Sequence, residues 1–66
     1  MLLYGVSTVT YAQMGVSVLN KAGFRATVER NRQSREGCGF ILAVNSPQSV
    51  AVERALARGG VPVKRL

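Results

Sequence analysis

The chain makes the same transition twice. "LNKAGFRATV" (Leu19–Val28) and "LARGGVPVKR" (Leu56–Arg65) each run from helical residues through a basic residue and glycine into a stretch of strand character. Glycine enters the left-handed conformation at no steric cost, so it is the usual stop for a helix. A helix that ends this way and feeds a strand is the second half of a βαβ unit. Two such units are the strongest constraint on the fold.

The remaining segments fill in the pattern. "MLLYGVS" reads as a first strand, apolar and with an aromatic. "STVTYAQMGVSVLNKAG" reads as a helix capped by Ser7 or Thr8, whose hydroxyls can accept from an orphan amide of the first turn. Ala12, Val16 and Leu19 fall on one face, and Gly15 suits close packing on a sheet at a cost of about 1 kcal/mol against alanine. "FRATVERN" alternates, with Phe24, Ala26 and Val28 on one side and Arg25, Thr27 and Glu29 on the other. "RQSREGCG" is a polar loop. "FILAV" is a continuous apolar run, as expected of a central strand. "NSPQSVAVERALARGG" is a second helix, with Ser46 expected at the cap, Pro47 at the first helical position, and an inner stripe of Val52, Ala55 and Leu56. "VPVKRL" is a last strand, placed at an edge because Pro62 cannot donate to a ladder.

The order β-α-β-β-α-β predicts an α+β domain over residues 1–66. The expected form is a ferredoxin-like split-βαβ sandwich, an antiparallel sheet with two helices on one face. Strands one and three are the most apolar and are expected at the centre. The second and fourth carry the charge and the proline, as edges should.

Composition removes several classes. At 66 residues the chain is one domain, burying only about 60% of its unfolded surface. One cysteine and no histidine leave no internal disulfide and no ordinary metal site. Good packing or self-association must supply stability. The face away from the helices would show residues such as Leu3 or Ile41, an apolar patch that fits a homodimer. No apolar run is long enough to span a bilayer, and "MLLYGV" lacks the features of a signal peptide. A thiol without a partner fits a reducing compartment, with cytoplasm the default. The net charge of +6, nine Lys and Arg against three Glu, attracts anions without choosing among RNA, acidic proteins and small molecules.

Within "SREGCGFILAV" the only cysteine, Cys38, sits between two glycines where a basic loop meets an apolar strand. The plain reading is a small core residue at the start of that strand. Gly37 and Gly39 argue otherwise, since they supply no side chain to cover the sulfur and let the backbone approach closely or turn with φ > 0. Arg30, Arg32 and Arg35 would favour thiolate, the reactive form; Glu36 opposes them. No histidine or aspartate is present to act as base, so a Cys-His dyad is excluded. Glu29, Glu36 and Glu53 form no recognisable catalytic pair, and no Walker or dinucleotide fingerprint occurs. The residues do not add up to a complete enzyme, and no cofactor is implied. A cysteine that hands an atom on needs less: a nucleophile, an anion-friendly loop and a docking surface.

The competing reading is a non-catalytic basic module that binds RNA or a protein, with Cys38 structural. Folds of this pattern can present aromatics from their central strands to RNA bases, and Tyr4 and Phe40 occupy those strands. No basic-aromatic block is present, so nucleic-acid binding would be non-specific and salt-dependent. Exposure of Tyr4 and Phe40 on the open sheet face discriminates the two readings.

The residues "NKAGF", Arg32 and "GCGFILAV", with the closing "GVPVKRL", resemble the selenium/sulfur carrier-like family across essentially the whole chain. That family often has proline before the arginine, where this chain has Asn31. The resemblance implies that Cys38 carries sulfur or selenium as a persulfide or selenylsulfide. Arg32 would stabilise the anion, assisted by Arg35, and Gly37 and Gly39 would shape the loop. A cysteine desulfurase is the natural donor.

Overall fold

Why the glycines sit where they do becomes plain from the two helix ends. The computed structural model describes residues 1–30 and 39–66. The first helix, α1 (Val9–Lys21), ends with Gly23 at φ 91°. There the Phe24 amide donates to the Leu19 carbonyl at 2.8 Å and the Gly23 amide to the Asn20 carbonyl at 3.1 Å. The second helix, α2 (Ser49–Arg58), ends with Gly60 at φ 71°. The Val61 amide donates to the Leu56 carbonyl at 3.0 Å and the Gly60 amide to the Ala57 carbonyl at 3.2 Å. Both ends are Schellman motifs, with paired bonds that satisfy the last carbonyls of a helix. In each, the residue after the glycine returns to the core beside a helical leucine: Phe24 with Leu19, Val61 with Leu56. The sequence echo is thus one capping device used twice.

The strands are β1 (Leu2–Val6), β2 (Ala26–Arg30), β3 (Phe40–Val44) and β4 (Lys64–Arg65). They form one antiparallel sheet in the order β2-β3-β1-β4. Since β3 is antiparallel to both β1 and β2, those two run parallel with β3 between them. Likewise β3 and β4 run parallel with β1 between them. The expected centre and edges are therefore found, in an α+β domain of one sheet and two helices.

Register decides which side chains meet. Tyr4 pairs with Leu42, Leu42 with Val28, and Tyr4 with Arg65, so one row crosses all four strands. Directly opposed residues lie on the same face of a sheet. That face also carries Val6, Val44 and Phe40 and packs against Ala12 and Leu19 of α1 and Val52 and Leu56 of α2 in a single core. In β2, Ala26 and Val28 turn inward and Thr27 and Glu29 face solvent, as the alternation predicts. The opposite face carries Leu3, Gly5, Ile41 and Ala43 and no helix; Leu3 is exposed.

Gly15 is the closest approach of α1 to the sheet. A Cβ there would lie 2.9 Å from Leu42 Cδ2 and 3.4 Å from Leu56 Cδ2. The inner stripe of α1 is accordingly Ala12, Gly15 and Leu19, with Val16 only half-buried.

Two expectations about element ends need correction. The α2 helix does not begin with Ser46 as cap and Pro47 as its first residue; it begins at Ser49 after Gln48, which makes no side-chain cap bond. The Ser46 hydroxyl instead accepts from the Gln48 amide at 3.1 Å, and the Ser49 amide donates to the Pro47 carbonyl at 3.1 Å. These local bonds turn the chain before the helix starts, a competition open to serine. At the α1 cap the structure selects Thr8 of the two expected candidates; its hydroxyl accepts from the Tyr11 amide at 3.1 Å. The last strand is shorter than "VPVKRL": Val61 goes into the core and Pro62 precedes the paired Lys64–Arg65.

Two glycine substitutions separate space from backbone. Gly15→Val should cost about 2 kcal/mol, because its methyls overpack Leu42 and Leu56. Gly23→Ala meets no atom within 4 Å but forces alanine into positive φ, for about 1 kcal/mol. Urea unfolding measures both. The Gly15 variant should be the worse, and a second-site Leu42→Ala should relieve it without relieving Gly23→Ala.

Candidate functional site

The expected site falls on the connection between β2 and β3. Arg32, Arg35, Gly37 and Cys38 lie outside the described residues. The structure does place the two ends of that connection. Arg30 pairs with Phe40, so the segment leaves and rejoins the sheet at neighbouring positions on an edge strand and a central one. Phe40 also pairs with Val6, the last residue of β1, which leads into α1. The segment is therefore rooted at the end of the sheet from which α1 departs.

Gly39 borders this connection. Among the described residues the glycines at positive φ are Gly23 and Gly60. A Cβ on Gly39 would meet none of the described residues within 4 Å.

The aromatic residues are not available as a stacking platform. Tyr4 is 1% exposed and belongs to the core; Phe40, Tyr11 and Phe24 pack against it. Tyr4 and Phe40 share the helix-facing side, so the open sheet face carries neither. The observation that would have favoured base stacking goes against it.

A polar cluster that sequence reasoning missed lies at the β4 edge. Glu53 Oε2 on α2 accepts from the Tyr4 hydroxyl at 3.0 Å and from Arg65 Nη2 at 2.8 Å. The three residues tie β1, α2 and β4 together. Burial of the ring, reinforced by the bond to the Glu53 carboxylate, raises the Tyr4 pKa above 10.0. The signal was the register of β1 with β4, which opposes Tyr4 to Arg65; neither the spacing nor the residue types disclose it. The cluster satisfies a buried hydroxyl and is structural.

Among the described residues no three His, Cys, Asp or Glu side chains group to hold a metal ion. None of the described helices is long and apolar enough to cross a membrane. In comparisons with protein-family models, curated proteins and solved structures, nothing matches the chain.

Tyr4 gives a pH signature. Because its folded pKa is raised, its contribution is intact below the unfolded value of 10.0 and is lost as pH climbs through the folded one. Stability above pH 10 should fall more steeply in wild type than in Tyr4→Phe, which should itself be about 1 kcal/mol less stable at neutral pH. Denaturant melts across this range check both. Equal slopes would show that Tyr4 does not titrate on unfolding.

Proposed function

We propose that the protein is a sulfur or selenium carrier, with Cys38 holding the atom as a persulfide or selenylsulfide. The observation that carries this reading is the placement of the single cysteine, between Gly37 and Gly39 in a segment bearing Arg30, Arg32 and Arg35. The inward aromatics support it too, because they weaken the RNA-binding alternative.

The fold that accompanies this reading is ferredoxin-like. Its support is the βαββαβ order and the two βαβ units, each with a strand of the other inserted between its own. The setting is a reducing compartment such as the cytoplasm, where a lone thiol persists.

The chemistry needs no base, only exchange at sulfur. A donor persulfide presents its terminal sulfur. The Cys38 thiolate attacks it, the donor S–S bond breaks, and the donor cysteine leaves as thiolate while the new S–S bond forms on Cys38. An acceptor thiolate then attacks the terminal sulfur and Cys38 leaves as thiolate. No net oxidation occurs in either step. The bound persulfide is anionic, and Arg32 with Arg35 would hold it by charge-assisted hydrogen bonds. The same cations would make Cys38 a stronger acid than a free thiol at about 8.5.

Incubation with a cysteine desulfurase and cysteine should add the mass of one sulfur atom, removable by reductant. Cys38→Ser should abolish the adduct. Arg32→Ala should lower its yield and shift the pH dependence of Cys38 alkylation upward, with the circular dichroism spectrum unchanged. A folded wild type that gains no reducible adduct from sulfur or selenium donors would defeat the carrier reading.

A further inference from the structure

On the outer side of the helix layer, a shallow groove of about 510 Å³ runs between the end of α1 and one face of α2. Phe24, Ala51 and Ala55 contribute apolar floor, and Lys21, Arg54 and Arg58 supply three cations. All three cations are exposed and none makes an ion pair among the described residues. Among the described residues no acidic side chain lines the groove. Glu53, the only acid on α2, is turned to Tyr4 and Arg65.

We propose that this groove is a docking site for an acidic, amphipathic segment of a partner protein. The inference is independent of Cys38 and goes beyond the carrier reading. Charge is the first argument. Arg54 and Arg58 stand one helical turn apart, where like charges repel. Arg58 and Lys21 suit the negative ends of their helices, but Arg54 sits in mid-helix and answers to no dipole. A carboxylate between Arg54 and Arg58 relieves the repulsion that the chain alone leaves standing.

The floor is the second argument. A small-molecule site buries most of its ligand, whereas this groove is open along its length and suits a segment of chain. A phosphodiester backbone satisfies the cations but leaves the alanines and Phe24 uncovered. A peptide that alternates carboxylates with an apolar side chain matches both features, the apolar group on Ala51, Ala55 and Phe24, the carboxylates on the rim. This is the helix-face and charge-complementary mode of peptide recognition.

The probe is a fluorescein-labelled twelve-residue peptide of glutamates and leucines at helical spacing (roughly three turns at about 3.6 residues per turn), added to the 66-residue chain. Binding should be measurable by anisotropy and should weaken with salt. The double variant Arg54→Glu/Arg58→Glu should bind at least tenfold more weakly. Arg25→Glu, a charge change outside the groove, should lose less than threefold. Circular dichroism checks that both variants stay folded. Amide chemical shifts on titration should move at Lys21, Ala51, Ala55 and Arg58. A peptide with serine for every leucine should bind at least fivefold more weakly. Equal binding of the serine peptide, equal loss in Arg25→Glu, shifts centred on the open sheet face, or no binding would each overturn the proposal. So would a uridine oligonucleotide that displaces the peptide and binds more tightly to the same residues, which would make the groove a nucleic-acid site.

Discussion

The fold depends on one row of side chains beneath one glycine. Val28, Leu42, Tyr4 and Arg65 cross the sheet from β2 to β4, and α1 comes down on Leu42 through Gly15. With no Cβ at Gly15, the helix sits close enough to the central strands for Leu56 and Val61 to reach the same point. At the far end Tyr4 and Arg65 converge on the carboxylate of Glu53, which fixes α2 against the short edge strand. A domain of this size has few contacts to spare. Its packing is concentrated where both helices and both central strands meet.

That row also decides what the surface can do. Because the aromatic rings contribute to the core or pack against it, the described part of the open sheet face carries aliphatic and small groups (Leu3, Gly5, Ile41, Ala43) with Thr27, Glu29 and Lys64. It has no ring on which a base could stack.

Much of this architecture was legible in the sequence, for local reasons. The repeated Leu-to-glycine junctions are short-range devices, and each carries its glycine and its returning apolar residue within six positions. The alternation of β2 and the apolar run of β3 are equally local. The beginning of α2 was not legible, because Ser46-Pro47 satisfies the cap pattern and yet Ser46 closes a turn onto Gln48. Two locally reasonable structures competed, and the sequence pattern does not separate them. The Glu53 cluster was hidden for a different reason: Tyr4 and Glu53 are 49 positions apart, and they meet only because strand register sets Tyr4 beside Arg65 and α2 packs over the sheet. Of the candidate site, sequence identified Cys38 and its flanking charges, while the left-handed turn considered for Gly39 was a matter of backbone geometry that composition cannot reach.

The net charge of +6 is better understood as two local concentrations than as one field. Arg30, Arg32 and Arg35 are close in sequence around the Cys38 segment, and Lys21, Arg54 and Arg58 border the helix groove; these are six of the nine cations. The floor of the groove at Phe24 and the root of the Cys38 segment at Arg30 lie at opposite ends of the second strand, roughly 20 Å apart along extended chain. At physiological ionic strength exposed charges are screened over about 8 Å. An anion at the groove therefore contributes little at Arg30. Under the two proposals each concentration would recognise its partner by its own chemistry: an anionic sulfur or selenium atom at Cys38, a carboxylate-bearing apolar segment at the groove, so that the two contacts would not compete for the same cations.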